Sequence, residues 1–173
     1  MDLIRKMKKN EIIIKGDFTL KNGTTTNTYI DLRKLISFPS LIYEIAMELT
    51  KFYLPNTNDF DIICGTPYGA VPIATIISQI LDKPLIMLRK EAKTYGTKKL
   101  IEGNYNKNDR VLLIEDVITS GSSVKEAENK LQNEDLIIAD IWHIVNRQIN
   151  PTYKNYLFHI NDLQYTTIKE QLK

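Results

Sequence analysis

Val111-Leu112-Leu113-Ile114-Glu115-Asp116-Val117-Ile118-Thr119-Ser120-Gly121-Ser122-Ser123 is the stretch on which the reading of this chain turns. An apolar run leads into two adjacent acids, and the chain then breaks into small and hydroxylated residues. An apolar run bounded by a turn reads as a buried strand, which would carry Glu115 and Asp116 to the rim of a sheet. By themselves the acids admit two readings of equal weight. They suit the vicinal hydroxyls of a sugar, or they form a pair at a strand end that bonds to the next helix. Thr119 to Ser123 sharpens the choice. A turn feeding a helix N-terminus presents N–H groups and a positive dipole end to an anion. Gly121 permits unusual dihedrals there. An ordinary helix cap needs one such residue, and Thr119, Ser120, Gly121, Ser122 and Ser123 exceed that need. Carboxylates for a diol beside a nest for its phosphate make a site for a phosphorylated ribose.

Working outward, Ser122 to Gln132 reads as a helix, with Ser123 and Glu126 at capping-box spacing. Leu136 to Val145 reads as a strand, with Trp142 in the core and Arg147 just past its end. Upstream, Asp61 to Cys64 is a short buried strand, Gly65 to Gly69 a turn, Ala70 to Leu81 a helix and Pro84 to Leu88 another strand. Pro39-Ser40 opens a helix to about Tyr53, in which Leu41, Ile45, Leu49 and Phe52 recur at helical spacing and Ser40 suits the N-cap. Residues 2 to 9 suit a short helix. Glu11 to Leu20 and Thr28 to Leu32 look extended, joined by a polar turn into an N-terminal hairpin. Tyr156 to Ile160 suits a last strand and Thr166 to Leu172 a terminal helix. Strands alternating with helices predict an α/β fold, a parallel sheet covered on both faces. Ligands of such sheets sit beyond the carboxyl ends of the strands. Gly65, Arg89, Glu115 and Arg147 therefore converge on one rim.

Composition sets bounds. The 173 residues are 43% hydrophobic and 25% charged, which suits one soluble domain over residues 1–173 with a sizeable core. A net charge of +2 gives no argument for nucleic acid. No apolar run approaches the roughly 18 residues of a membrane span. The N-terminus has basic residues but no apolar segment after them, unlike a signal peptide. The single cysteine, Cys64, excludes a disulfide framework and fits a cytoplasmic location. It reads as a buried structural residue rather than a nucleophile.

Residues 89 to 108 change character. Arg89, Lys90, Lys93, Lys98 and Lys99 are interrupted by Gly96 and Gly103, which reads as a long, exposed, basic loop. A random basic run is a solvated one. This one hangs from the same rim as the anion turn, where cations would stabilise a leaving pyrophosphate. Gly65-Thr66-Pro67-Tyr68-Gly69-Ala70 is either a tight connection or a second set of N–H groups for that pyrophosphate. Arg147 suits a carboxylate by bidentate pairing, and a structural ion pair suits it equally. His143 and His159 lack metal-ligand spacing and read as packing residues.

Together these residues resemble the type I phosphoribosyltransferases. The Glu115–Ser123 run is similar to that family's signature for phosphoribosyl pyrophosphate. Phe18 to Arg33, Gly65 to Thr75 and Arg89 to Gly103 resemble the orotate-using members, including the transferase domain of UMP synthase, over about residues 11 to 148. The resemblance implies a parallel sheet with a small hood-like N-terminal element at about 1–35, and no decarboxylase domain. It implies Lys93, Asp116 and Glu115 as catalytic residues. Donor contacts would come from Lys21, Tyr68, Gly69, Arg89, Lys90, Lys93 and Tyr95, from Glu115 and Asp116, and from Val117, Ile118, Thr119, Ser120, Gly121, Ser122 and Ser123. Orotate would meet Tyr29, Ile30, Thr119 and Arg147. Mg2+ would ride on the substrate near Glu115 and Asp116 with no direct protein ligand set. A homodimer with shared sites is implied, with Arg89, Lys93 and Tyr95 crossing to the neighbour. A separate orotidylate decarboxylase stands as an open partner. Asn27, Thr94 and the Gln148-Ile149-Asn150-Pro151 turn depart from the family's usual pattern, and Gly69 and Tyr95 from that of its bacterial forms. Transfer to another base, or a non-catalytic donor-sensing regulator, are the alternative readings.

Overall fold

Parallel strands buried on both faces need two cores, one per face, and the alternation along each strand supplies both. A computed structural model of the chain describes residues 2–19, 23, 25–56, 59–91 and 99–165. In chain order its elements are α1 (Asp2–Lys9), β1 (Ile13–Thr19), β2 (Thr25–Ile30), α2 (Pro39–Tyr53), β3 (Ile62–Gly65), α3 (Val71–Leu81), β4 (Leu85–Leu88), β5 (Ile101–Glu102), β6 (Arg110–Ile118), α4 (Ser122–Gln132), β7 (Ile137–Asn146), β8 (Asn155–His159) and α5 (Ile160–Tyr165). The main sheet has the order β5-β4-β3-β6-β7-β8. All its pairings are parallel except β4 with β5. On one face Ile63, Leu112, Ile114, Trp142 and Ile144 pack with α1, α2 and α3. On the other, Ile62, Cys64, Val111, Leu113 and Ile141 pack with Val124, Ala127 and Leu131 of α4. Trp142 is fully buried and Cys64 lies in the second core, its thiol pushed up to about 12 by burial, as expected of structural residues.

The sequence expectations differ from the structure at several points. The segment after β4 is not loop throughout. Ile101 and Glu102 pair antiparallel with Leu88 and Met87, and Ile101 is buried. Two residues are too few to show a period, so only the neighbouring strand reveals this one. Ser40 does not cap α2, because the helix begins at Pro39 with Phe38 at the cap position and no side-chain capping bond. A proline in the first turn lacks an N–H that would need a cap. Phe52 is 60% exposed, since the buried face of α2 passes instead to Thr50, whose hydroxyl donates to the Ala46 carbonyl. The terminal helix at 166–172 lies outside the described residues, and the helical turn after β8 is α5. β1 and β2 form a separate antiparallel hairpin, anchored by buried Ile12 and Ile13.

Candidate active site

The site exists because neighbouring strands end at different heights. β3 pairs with β6 as far as Gly65 opposite Ile114. β6 then runs on to Ile118 with only β7 beside it. The acids therefore lie inside β6, where it projects past β3, and not at the end of a strand as the apolar run suggested. The gap is filled by the turn from β3 to α3. Thr66 N donates to the Ile114 carbonyl at 2.9 Å, and Thr66 Oγ1 donates to Glu115 Oε1 at 2.7 Å. The Asp116 N–H also donates to that oxygen, at 2.9 Å. Gly65 has to be glycine in this turn, since a Cβ would lie 2.9 Å from the Ala70 carbonyl oxygen and the Val71 Cα.

Glu115 is 5% exposed. Burial first, and then the neighbouring Asp116 carboxylate, raise its pKa to about 8, against the lowering effect of the Thr66 hydroxyl. Asp116 is only half-buried, and its Oδ1 accepts from the Val117 N–H at 2.7 Å. The two adjacent acids thus differ: one is dry and reluctant to ionise, the other wet.

A cleft of about 420 Å³ opens above these acids. Val117, Thr119 and Ser123 line it from β6 and the start of α4, and Pro67, Tyr68 and Gly69 from the β3–α3 turn. Tyr29, Ile30, Asp31 and Arg33 close it from the hairpin side, and Lys90 and Arg147 complete it. The Lys90 ammonium lies 5.0 Å from the centre of the Tyr68 ring, a cation–π contact. The Tyr29 ring packs on Phe18 at 5.3 Å. Beside the cleft, a small concavity is bounded by Ile118, Gly121 and Ser122 together with Thr119 and Ser123. Gly121 takes φ +82°, and a Cβ there would lie 3.1 Å from the Tyr153 ring. Ser120 Oγ accepts from the Ser122 N–H at 3.3 Å. The capping box expected of Ser123 and Glu126 does not form. Gly121 holds the cap position with no side-chain bond, so Ser123 sits within the first turn, and Glu126 pairs with Lys130.

Arg147 follows β7 and turns to the hairpin. It donates to the Thr28 carbonyl at 3.4 Å and to Thr26 Oγ1 at 3.2 Å. Among the described residues these partners are neutral oxygens, so neither offsets the guanidinium charge. Burial holds its pKa below the ordinary guanidinium value. Arg89 is not among the residues lining the cleft. It pairs with Glu102 of β5 at 3.4 Å. Lys21, Lys93, Thr94 and Tyr95 lie outside the described residues. Sequence reasoning gave Thr66, Asp31, Arg33 and Thr26 no side-chain role at the site. Thr66 was the one with a signal, being the first polar side chain after a buried strand that ends at the rim.

The phosphoribosyl transferase domain matches residues 40–162. An orotate phosphoribosyltransferase of Caenorhabditis elegans is 39% identical over 99% of this chain and 75% of its own length. The chain belongs to this phosphoribosyltransferase family. A uridine 5′-monophosphate synthase of Bos taurus is 45% identical over 77% of the chain, which covers 28% of that protein. The structure of Leishmania donovani UMP synthase superposes with a TM-score of 0.86 at 33% identity, over 98% of this chain and 38% of that one. The chain thus spans most of the worm relative and a minor part of the two synthases. A parallel sheet flanked by helices is the fold of this phosphoribosyltransferase family.

Proposed function

We propose that this phosphoribosyltransferase moves the 5-phosphoribosyl group of phosphoribosyl pyrophosphate to N1 of orotate, releasing pyrophosphate with inversion at C1′. One observation carries this reading. A single cleft has two acids and an anion turn on one side, and on the other an arginine whose partners among the described residues are neutral oxygens. Glu115 and Asp116 hold the ribose hydroxyls, Thr119 to Ser123 hold the 5′-phosphate, and Tyr68, Gly69 and Lys90 face the pyrophosphate. Arg147 pairs with the orotate carboxylate, with Tyr29, Ile30 and Thr119 along the base. Fixing both ends of the donor and the base aligns N1 with C1′. As the C1′–oxygen bond opens, Asp116 stabilises cationic ribose while Lys90, Lys93 and Arg89 stabilise the departing pyrophosphate.

Mg2+ would arrive on the substrate, with Glu115 and Asp116, which both line the cleft, as the carboxylates beside it. When bound there, Mg2+ would offset pyrophosphate charge. A homodimer with shared sites is part of the reading, Arg89, Lys93 and Tyr95 serving the neighbour. A cytoplasmic location suits the single buried cysteine, and no helix among the described residues is long and apolar enough to cross a membrane. A separate orotidylate decarboxylase would consume the product.

The test is loss of orotate absorbance with the donor and Mg2+, run beside uracil, hypoxanthine and adenine. Orotate alone should be consumed. Lys93→Ala should slow turnover about 100-fold or more while donor binding changes little. Equal use of another base, or no consumption of orotate, overturns the reading.

A further inference from the structure

Thr66 meets the acids in a way that backbone accounting for the β3–α3 turn does not explain. Its N–H already stitches the turn to β6 through the Ile114 carbonyl. Its side chain makes a second, separate link. The hydroxyl donates to Glu115 Oε1 at 2.7 Å, with Thr66 itself only 2% exposed. The Asp116 N–H reaches the same oxygen from the other side at 2.9 Å. A carboxyl held at one oxygen by two donors is fixed in its orientation. A hydrogen bond in a dry setting is also electrostatically stronger than one in water. Three residues further along the same turn, Gly69 lies so close that a Cβ there would sit 2.0 Å from Asp116 Oδ2. The turn that faces the pyrophosphate is thus built against both acids that face the diol.

We propose that Thr66 is a positioning residue for the donor's ribose: its hydroxyl fixes the Glu115 carboxyl in the orientation that receives the diol, and so ties the pyrophosphate turn to the sugar site. The inference rests on the donor-binding part of the proposed function. It is independent of which base is used. Threonine matters here because its hydroxyl is the donor, and valine keeps the shape while removing it.

The experiment measures binding by calorimetry, so it does not depend on orotate turnover. The ligands are phosphoribosyl pyrophosphate and inorganic pyrophosphate, each with Mg2+. Thr66→Val should weaken phosphoribosyl pyrophosphate about tenfold, the loss expected when a buried carboxyl oxygen loses a hydrogen-bond donor. It should leave inorganic pyrophosphate, which has no diol, within about twofold. Thr66→Ser restores the hydroxyl and should restore donor affinity. In a Glu115→Gln background the Thr66→Val penalty should shrink, because two residues acting through one contact are not additive. Should Thr66→Val fold poorly by circular dichroism, Thr66→Ala removes the same hydroxyl and gives the same comparison. The proposal is overturned if donor affinity is unchanged. It is equally overturned if both ligands weaken alike, which marks a general distortion of the turn, or if the penalty is the same beside Glu115→Gln. If wild-type protein binds the donor but consumes no orotate, the base assignment fails and this inference stands.

Discussion

At Gly69 a missing side chain is what the site needs. The residue does not have a left-handed backbone, so alanine would meet no dihedral strain and would even lower the entropy of the unfolded chain. What alanine meets is Asp116, whose Oδ2 would be 2.0 Å and Cγ 2.8 Å from the new Cβ. The carboxylate is half-buried and can swing away, at the cost of its place in the cleft. Gly69→Ala should therefore leave the thermal midpoint within about 4 °C of wild type while raising the donor KM about tenfold. A fall in midpoint without a change in KM would show that Asp116 does not face the donor. Gly69 was named from the chain as a donor contact through its backbone. The reason it has no Cβ belongs to β6, 47 positions later, and no local pattern carries it. Arg147 makes the same point from the other direction. Its type and its place after a strand were readable, and the neutrality of its partners Thr26 and Thr28 was not, because a hairpin over 110 residues earlier supplies them.

Elements of at least two turns of helix or four residues of strand were legible, and those shorter were not. α2 announces itself through Leu41, Ile45 and Leu49, all buried. α4 does so through Val124, Ala127 and Leu131. β5 has two residues, and its hydrogen bonds go to Met87 and Leu88. As a solvated loop residue Ile101 would tolerate alanine at a cost under about 0.5 kcal/mol. As the buried residue of an edge strand, 1% exposed, it should cost about 2–4 kcal/mol. Urea denaturation of Ile101→Ala distinguishes the two. A small loss would mean that β5 contributes little to the fold. The start of α4 shows how a correct element can hide a wrong cap. Ser123 and Glu126 have capping-box spacing, yet β6 runs to Ile118 and the turn is tight enough for the helix to begin one residue before Ser123. Ser123 is among the residues that line the cleft.

For the molecule as a whole, two buried titratable groups set how stability varies with pH. Glu115 is held at about 8 against an ordinary 4.5, so between those values the folded protein keeps a proton that the unfolded chain has lost, and stability falls as pH rises. Burial pushes His143 down to about 4 from 6.5, so in that interval the unfolded chain binds the extra proton and stability rises with pH. The two oppose each other from about pH 4.5 to 6.5 and leave Glu115 alone from 6.5 to 8. The urea midpoint should be nearly level over the first interval and fall over the second. Glu115→Gln should remove the second fall, and a fall that persists in that variant would place its cause elsewhere. The sequence by itself determined the α/β alternation, the two-faced strands and the order of motifs along one rim, because periodicity and turn chemistry are local properties of the chain. Only the tertiary structure decided that β6 outruns β3, that Thr66 fills the gap against Glu115, and that Arg89 pairs with Glu102 instead of lining the cleft. Those facts depend on where separate segments stop relative to one another, and relative heights are fixed by packing between elements.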